Sequence, residues 1–157
     1  MSPSRLVPPA LPRMVLLGVL LLAGCTQASA PEAGSGAEPE PLRVVSLGGD
    51  LTEIVVALGA EDTLIARDAT SSFPPSIEAL PDVGYVRALN AEGILALSPT
   101  LVIASSEAGP PEALEQLRAA GVDVVVPPSG HAEAALIDRI GTIGAALDLG
   151  AEADALE

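Results

Sequence analysis

LRVVSLGGDLTEIVVALGA, Leu42 to Ala60, decides how the rest of the chain is read. Its first six residues are mostly apolar and β-branched, the composition of a strand buried on both faces. Gly48 and Gly49 close that run. The remainder reads as a helix, with Asp50 and Glu53 at the separation of a capping box and Gly59 placed as a C-terminal stop. Strand, glycine turn and helix in immediate succession predict the opening of a βαβ unit.

The pattern continues outward. Thr63 to Arg67 (TLIAR) is a second short strand, and DATSSFPPSIEAL after it is a loop leading to a helical turn. NAEGILAL, Asn90 to Leu97, is a short helix with Asn90 as N-cap. TLVIAS, Thr100 to Ser105, is a third strand. PPEALEQLRAAG, Pro110 to Gly121, has proline in its first turn, Leu114 and Leu117 on one face and a terminal glycine, which predicts a helix. VDVVVP, Val122 to Pro127, is a fourth strand, and from His131 the chain reads as helix to its end. Strands and helices alternating at this spacing predict an α/β fold with a parallel sheet and right-handed crossovers. Ligands of such sheets sit beyond the carboxyl ends of the strands. The loops there are Gly48 to Asp50, Arg67 to Ser72, Ser105 to Pro110 and Pro127 to His131.

Charge narrows the partners. The 157 residues include 21 acidic side chains against seven arginines, a formal net charge of −14, which argues against nucleic acid or anionic lipid as a ligand. One domain is expected, with an aliphatic core and Phe73 as its only phenylalanine. Arg5 and Arg13 precede MVLLGVLLLAG, Met14 to Gly24, a run suited to a signal-peptide core and short for a membrane span. It ends in Leu22-Ala23-Gly24-Cys25, which resembles the bacterial lipobox, so residues 1–25 read as a lipoprotein signal peptide and Cys25 as the lipidated residue. A buried free thiol is the alternative for this single cysteine. Residues 26–41, TQASAPEAGSGAEPEP, lack large apolar side chains and read as a flexible tether. The expected location is the periplasm or cell surface, on a membrane anchor.

Little here suggests catalysis. Gly48-Gly49 before a helix could cradle a phosphate, but the dinucleotide glycine pattern and the Walker sequence are missing and Asp50 would repel an anion. His131, the single histidine, reads as a solvated first-turn residue, and no zinc set or Ser-His-Asp set can be assembled around it. DVGYVRALNAEG, Asp82 to Gly93, is different: it holds the only tyrosine, Tyr85, with Arg87 two residues on. In an extended segment the two side chains project to one side. A guanidinium near a phenol oxygen favours phenolate, a hard anionic ligand for ferric iron and a known axial ligand of haem. The plainer alternative is that Tyr85 packs its ring over the sheet and leaves its hydroxyl in water.

RVVSLGGDLTEIVVALGAEDTLIARDATSSFPP, then LPDVGYVRALNAEGILALSPTLVIASSEAGPPEALEQLRAAGVDVVV, together with the lipobox, resemble the haem (hemin)-binding substrate-binding proteins of bacterial ABC importers, from about Arg43 to Leu149. The resemblance implies a two-lobed protein. Each lobe would be a Rossmann-like three-layer α/β/α unit, the lobes would be joined by a long helix, and haem b would be clamped between them as the transported ligand. It makes Tyr85 the axial iron ligand and Arg87 the hydrogen-bond donor to its oxygen. It also makes Glu92 a residue that docks on the importer permease, and so couples the chain to the ATPase. Gly48, Gly49, Ser106 and Glu107 would line the cleft by position. Residues 42–150 are then the first lobe and 151–157, AEADALE, the start of the interlobe helix. The expected second lobe does not follow, as in a fragment or interrupted gene product. Alternatives within the same fold are a binder of cobalamin or of a ferric siderophore, and a non-functional truncated product. An α/β enzyme is the alternative from another class, for which the strand ends offer only Ser and Asp without a usable His.

Overall fold

The computed structural model describes residues 40–157. The signal run, Cys25 and nearly all of the tether lie outside the described residues. Four strands and five α-helices follow in alternation: β1 (Val44–Leu47), α1 (Gly49–Ala57), β2 (Leu64–Arg67), α2 (Ala91–Leu95), β3 (Leu101–Ala104), α3 (Pro111–Ala119), β4 (Asp123–Val125), α4 (Glu133–Ala146) and α5 (Gly150–Leu156). Short 3₁₀ turns lie at Glu61–Thr63 and Pro75–Ala79. The sheet is parallel throughout, in the order β2-β1-β3-β4. After β2 the chain crosses back over β1 to begin β3. That reversal opens a crevice beyond the carboxyl ends of β1 and β3, where doubly wound sheets take their ligands.

Burial follows from the topology. Strands β1 and β3 have a neighbour on each side and helices on each face, and every residue in them is buried. Successive side chains point to opposite faces. Val44, Leu101 and Ile103 pack with Leu51, Val55, Ile140 and Ile143 of α1 and α4. Val45, Leu47 and Val102 pack instead with Ile94 of α2 and with Leu114 and Leu117 of α3. Each such aliphatic side chain contributes roughly 1.5–3 kcal/mol by leaving water. The result is the three-layer α/β/α arrangement that the family resemblance implies. The edge strands β2 and β4 are only partly buried.

Three local expectations are corrected. Helix α1 begins at Gly49 with Gly48 as N-cap and has no side-chain cap. Asp50 lies too far inside the first turn to form the box with Glu53, and its carboxylate pairs with Arg139 instead. The last helix is two helices. Asp148, at φ 60°, ends α4 with Leu149 N–H donating to the Gly144 carbonyl (2.8 Å) and its own N–H donating to Ala145 (3.3 Å), a Schellman closure. Helix α5 then folds back along α4, where a Cβ on Gly144 would lie 2.5 Å from that of Ala153. Ala153 is 1% exposed in the same core, so α5 belongs to this packed body. Finally, the tyrosine segment is a turn and not an extended strand, because Ala88 N–H closes onto the Tyr85 carbonyl at 2.8 Å.

Candidate functional site

The loops after β1, β3 and β4 and the start of α4 surround a groove of about 750 Å³ at the carboxyl edge of the sheet. Its floor is the glycine loop. Gly48 sits at φ 141°, outside the range L side chains favour, and a Cβ on Gly49 would meet the Thr70 carbonyl at 3.0 Å. Gly49 thus lets the backbone approach the loop after β2, and Gly48, where a Cβ would lie 3.2 Å from that of Ser105, the loop after β3.

A buried polar network holds that floor. Asp68 is fully buried, and its carboxylate accepts from Gly48 N–H (3.0 Å), Ser71 Oγ (2.7 Å), Thr70 N–H (2.9 Å) and Thr70 Oγ1 (2.6 Å). Thr52 Oγ1 ties Ser46 Oγ (2.8 Å), the Gly48 carbonyl (3.1 Å) and Ser71 Oγ (2.7 Å) together behind it. A buried carboxylate with four donors is one of the few that an interior tolerates. Sequence reasoning missed this set, although Asp68-x-Thr70-Ser71 has the spacing of a side-chain turn motif that could have found it.

Tyr85 and Arg87 form the next wall. The segment before them is stitched to β2 by Arg67 N–H to the Pro81 carbonyl (3.0 Å) and Val83 N–H to the Arg67 carbonyl (2.9 Å). Asp82 accepts from Gly84 N–H (2.8 Å) and pairs with Arg67 (3.4 Å). Gly84 takes φ 96°, and Tyr85 emerges at the groove 51% exposed. Val86, 6% exposed, turns into the core between Tyr85 and Arg87 and so leaves both neighbours at the groove. The projection inferred from an extended strand is thus reached by a turn with a buried centre. Gly109 N–H donates to the Val86 carbonyl (2.9 Å) and Leu89 N–H to the Gly109 carbonyl (2.8 Å), which joins this turn to the loop after β3.

Across that junction Arg87 Nη2 lies 2.5 Å from Glu107 Oε2. The hydrogen bond and charge of Glu107, and then the nearness of Tyr85, push the Arg87 guanidinium above its usual range. Arg87 is therefore cationic at any working pH, and its partner here is Glu107. A second guanidinium stands on the opposite side. Arg139 is 14% exposed, pairs with Asp50 through Nη1 and donates from Nη2 to the Gly130 carbonyl at 2.8 Å. Its Nε is buried with no hydrogen-bond partner among the described residues. Arg139 also escaped sequence reasoning; an arginine one residue before the core residue Ile140 of α4 was the available signal.

Of the residues expected at the cleft, Tyr85, Arg87, Gly48, Gly49, Ser106 and Glu107 all line this groove. His131 lines it too, in the loop before α4, which begins at Glu133. Glu92 is exposed in the first turn of α2, capped by Asn90 Oδ1 at 3.1 Å, and is not among the lining residues. Among the described residues no three His, Cys, Asp or Glu side chains cluster as a metal site. The groove thus offers one phenol, two guanidiniums each paired with a carboxylate, and apolar surface from prolines and Leu136. Such a set suits a ligand with apolar surface and anionic groups, and Tyr85, His131, Asp50 and Glu107 are the lining side chains able to donate to a metal it carries.

Known proteins share this fold. Residues 44–157 match the family described as periplasmic binding protein. The periplasmic heme binding protein HutB of Vibrio cholerae shares 45% sequence identity at a TM-score of 0.69, over 73% of this chain and 44% of that one. A periplasmic heme binding protein from Pseudomonas aeruginosa shares 44% identity at a TM-score of 0.70, over 73% of this chain and 41% of that one. The vitamin B12-binding protein of Photorhabdus laumondii is 40% identical over 84 residues, which make up 54% of this chain and 30% of that relative. The chain thus spans less than half the length of each of these relatives, and the fold it shares with them is that of one binding-protein lobe. With the match running from the first strand to the last residue, the chain belongs to the periplasmic binding protein family.

Proposed function

We propose that this chain is the first lobe of a haem-binding protein that captures haem outside the cytoplasm and delivers it to an ABC importer. The observation that carries this reading is the placement of Tyr85 and Arg87 on one turn at the groove, in a chain 44–45% identical to two heme binding proteins of known structure. Tyr85 is the axial ligand of ferric iron, and Arg87 donates to its oxygen. Gly48, Gly49, Ser106 and Glu107 bound the space for the porphyrin. The protein is a binding module without catalysis of its own, and transport energy comes from the ATPase of its partner.

Anchoring belongs to the same proposal. Cys25 carries the lipid, residues 26–41 form the leash, and residues 151–157 lead toward a second lobe. Glu92, outside the groove, docks on a basic pocket of the permease. Glu92→Ala in the full-length protein is then expected to lower haem uptake by cells while leaving haem affinity unchanged; unchanged uptake would remove the docking role.

The decisive experiment is an absorbance titration of the full-length protein with ferric haem, beside Tyr85→Ala. A saturable one-to-one spectrum with a phenolate-to-iron charge-transfer band, absent in the variant, is the expected result. A band that persists in Tyr85→Ala rejects the assignment. A second reading, cobalamin binding, is favoured by the match to a vitamin B12-binding protein. Competition separates the two: cobalamin that displaces haem stoichiometrically from the wild type would favour the second.

A further inference from the structure

The haem reading requires the Arg87 guanidinium at the Tyr85 oxygen, yet its ion-pair partner in this structure is Glu107, at 2.5 Å. The backbones that carry the three side chains are fixed to one another. Gly109 bridges the two loops through its N–H and its carbonyl, Ser105 N–H donates to the Leu47 carbonyl (2.9 Å), and Glu107 N–H donates to Ser105 Oγ (3.2 Å). Only the side chains are free to exchange partners. Arg87 and Glu107 are 55% and 62% exposed, and a solvated ion pair of this kind is weak enough to be traded.

Resting on the haem reading, we propose that Glu107 competes with the ligand for Arg87. It holds the guanidinium while the groove is empty and yields it to the Tyr85 oxygen when ferric iron binds there. The exchange moves no backbone: the bond from iron to the Tyr85 oxygen replaces the phenol O–H, whose proton passes to water at this half-exposed side chain. It makes affinity a difference between two ion pairs, so Glu107 weakens haem binding and eases release. Arg139 does not substitute for Arg87, because it is committed to Asp50 and the Gly130 carbonyl.

The test compares Glu107→Gln and Glu107→Ala with the wild type, each with and without Arg87→Ala, in titrations with ferric haem and with iron-free protoporphyrin. Both Glu107 variants are expected to bind ferric haem about two- to five-fold more tightly, the range of an exposed pair. The gain should vanish in the Arg87→Ala background and for protoporphyrin, which bears the same carboxylates and no iron. Equal gains for both ligands would mean that Glu107 merely repels an anionic ligand, and would overturn the exchange. Weaker ferric haem binding in the Glu107 variants would mean that Glu107 orients Arg87 for the ligand, and would overturn it also, as would no change at all. If the wild type itself shows no Tyr85-dependent band, the haem reading fails first and the exchange with it, an outcome distinct from a normal band that Glu107 does not influence.

Discussion

The loops after β2 and β3 both reach the groove, but their acidic residues live in opposite surroundings. Asp68 is fully buried and accepts from four donors, whereas Glu107 is 62% exposed and holds one arginine. The first fixes the glycine floor to the core. The second leaves a cation and a carboxylate in water beside the only tyrosine. Rigidity is thus concentrated at the glycine floor of the groove, and side-chain freedom beside Tyr85.

The largest expected break in this contrast is at Asp68. Asp68→Ala leaves Gly48 N–H and the Thr70 and Ser71 donors without their acceptor and is expected to lower stability by about 3 kcal/mol. Denaturant unfolding measures it, and a loss below about 1 kcal/mol would mean that water replaces the carboxylate. Arg87→Ala should change stability by no more than about 0.5 kcal/mol, since its partner is exposed. On the haem reading it should weaken ferric haem by about ten-fold or more, the worth of a hydrogen bond to a charged group. A fold that melts with Arg87→Ala would erase the distinction between the two loops. Glu107→Gln sits at the bottom of the scale, with unfolding unchanged within a few tenths of a kcal/mol.

What the sequence made legible was local. Val44 to Leu47 and Leu101 to Ala104 declare themselves as central strands because β-branched and aliphatic runs have nowhere else to go, and Asn90 caps α2 as its spacing predicts. At the groove, Gly48, Gly49, Ser106 and Glu107 were legible through the loops that strand ends must supply, and Tyr85 and Arg87 through their spacing and the family resemblance. What escaped was pairing across the chain. Asp68 reaches Gly48 twenty positions back, and Arg139 reaches Asp50 across 89. No spacing rule carries such contacts. The same long-range pull misled the local reading of Asp50, whose carboxylate answers to α4 and not to its own helix. Likewise the buried Val86, not an extended backbone, is what sends Tyr85 and Arg87 to the groove.

One feature of the tyrosine segment also concerns solubility. Strand β2 forms an edge of the sheet, and an edge strand with free backbone groups invites another chain to add on. Pro81 to Val83 occupy the carboxyl end of that edge through both polar groups of Arg67. The segment that presents Tyr85 is therefore also a guard against strand addition. A lesion that loosens it would uncover a sticky edge and displace Tyr85 together, so on the haem reading aggregation and loss of binding should travel together in variants of residues 81–84.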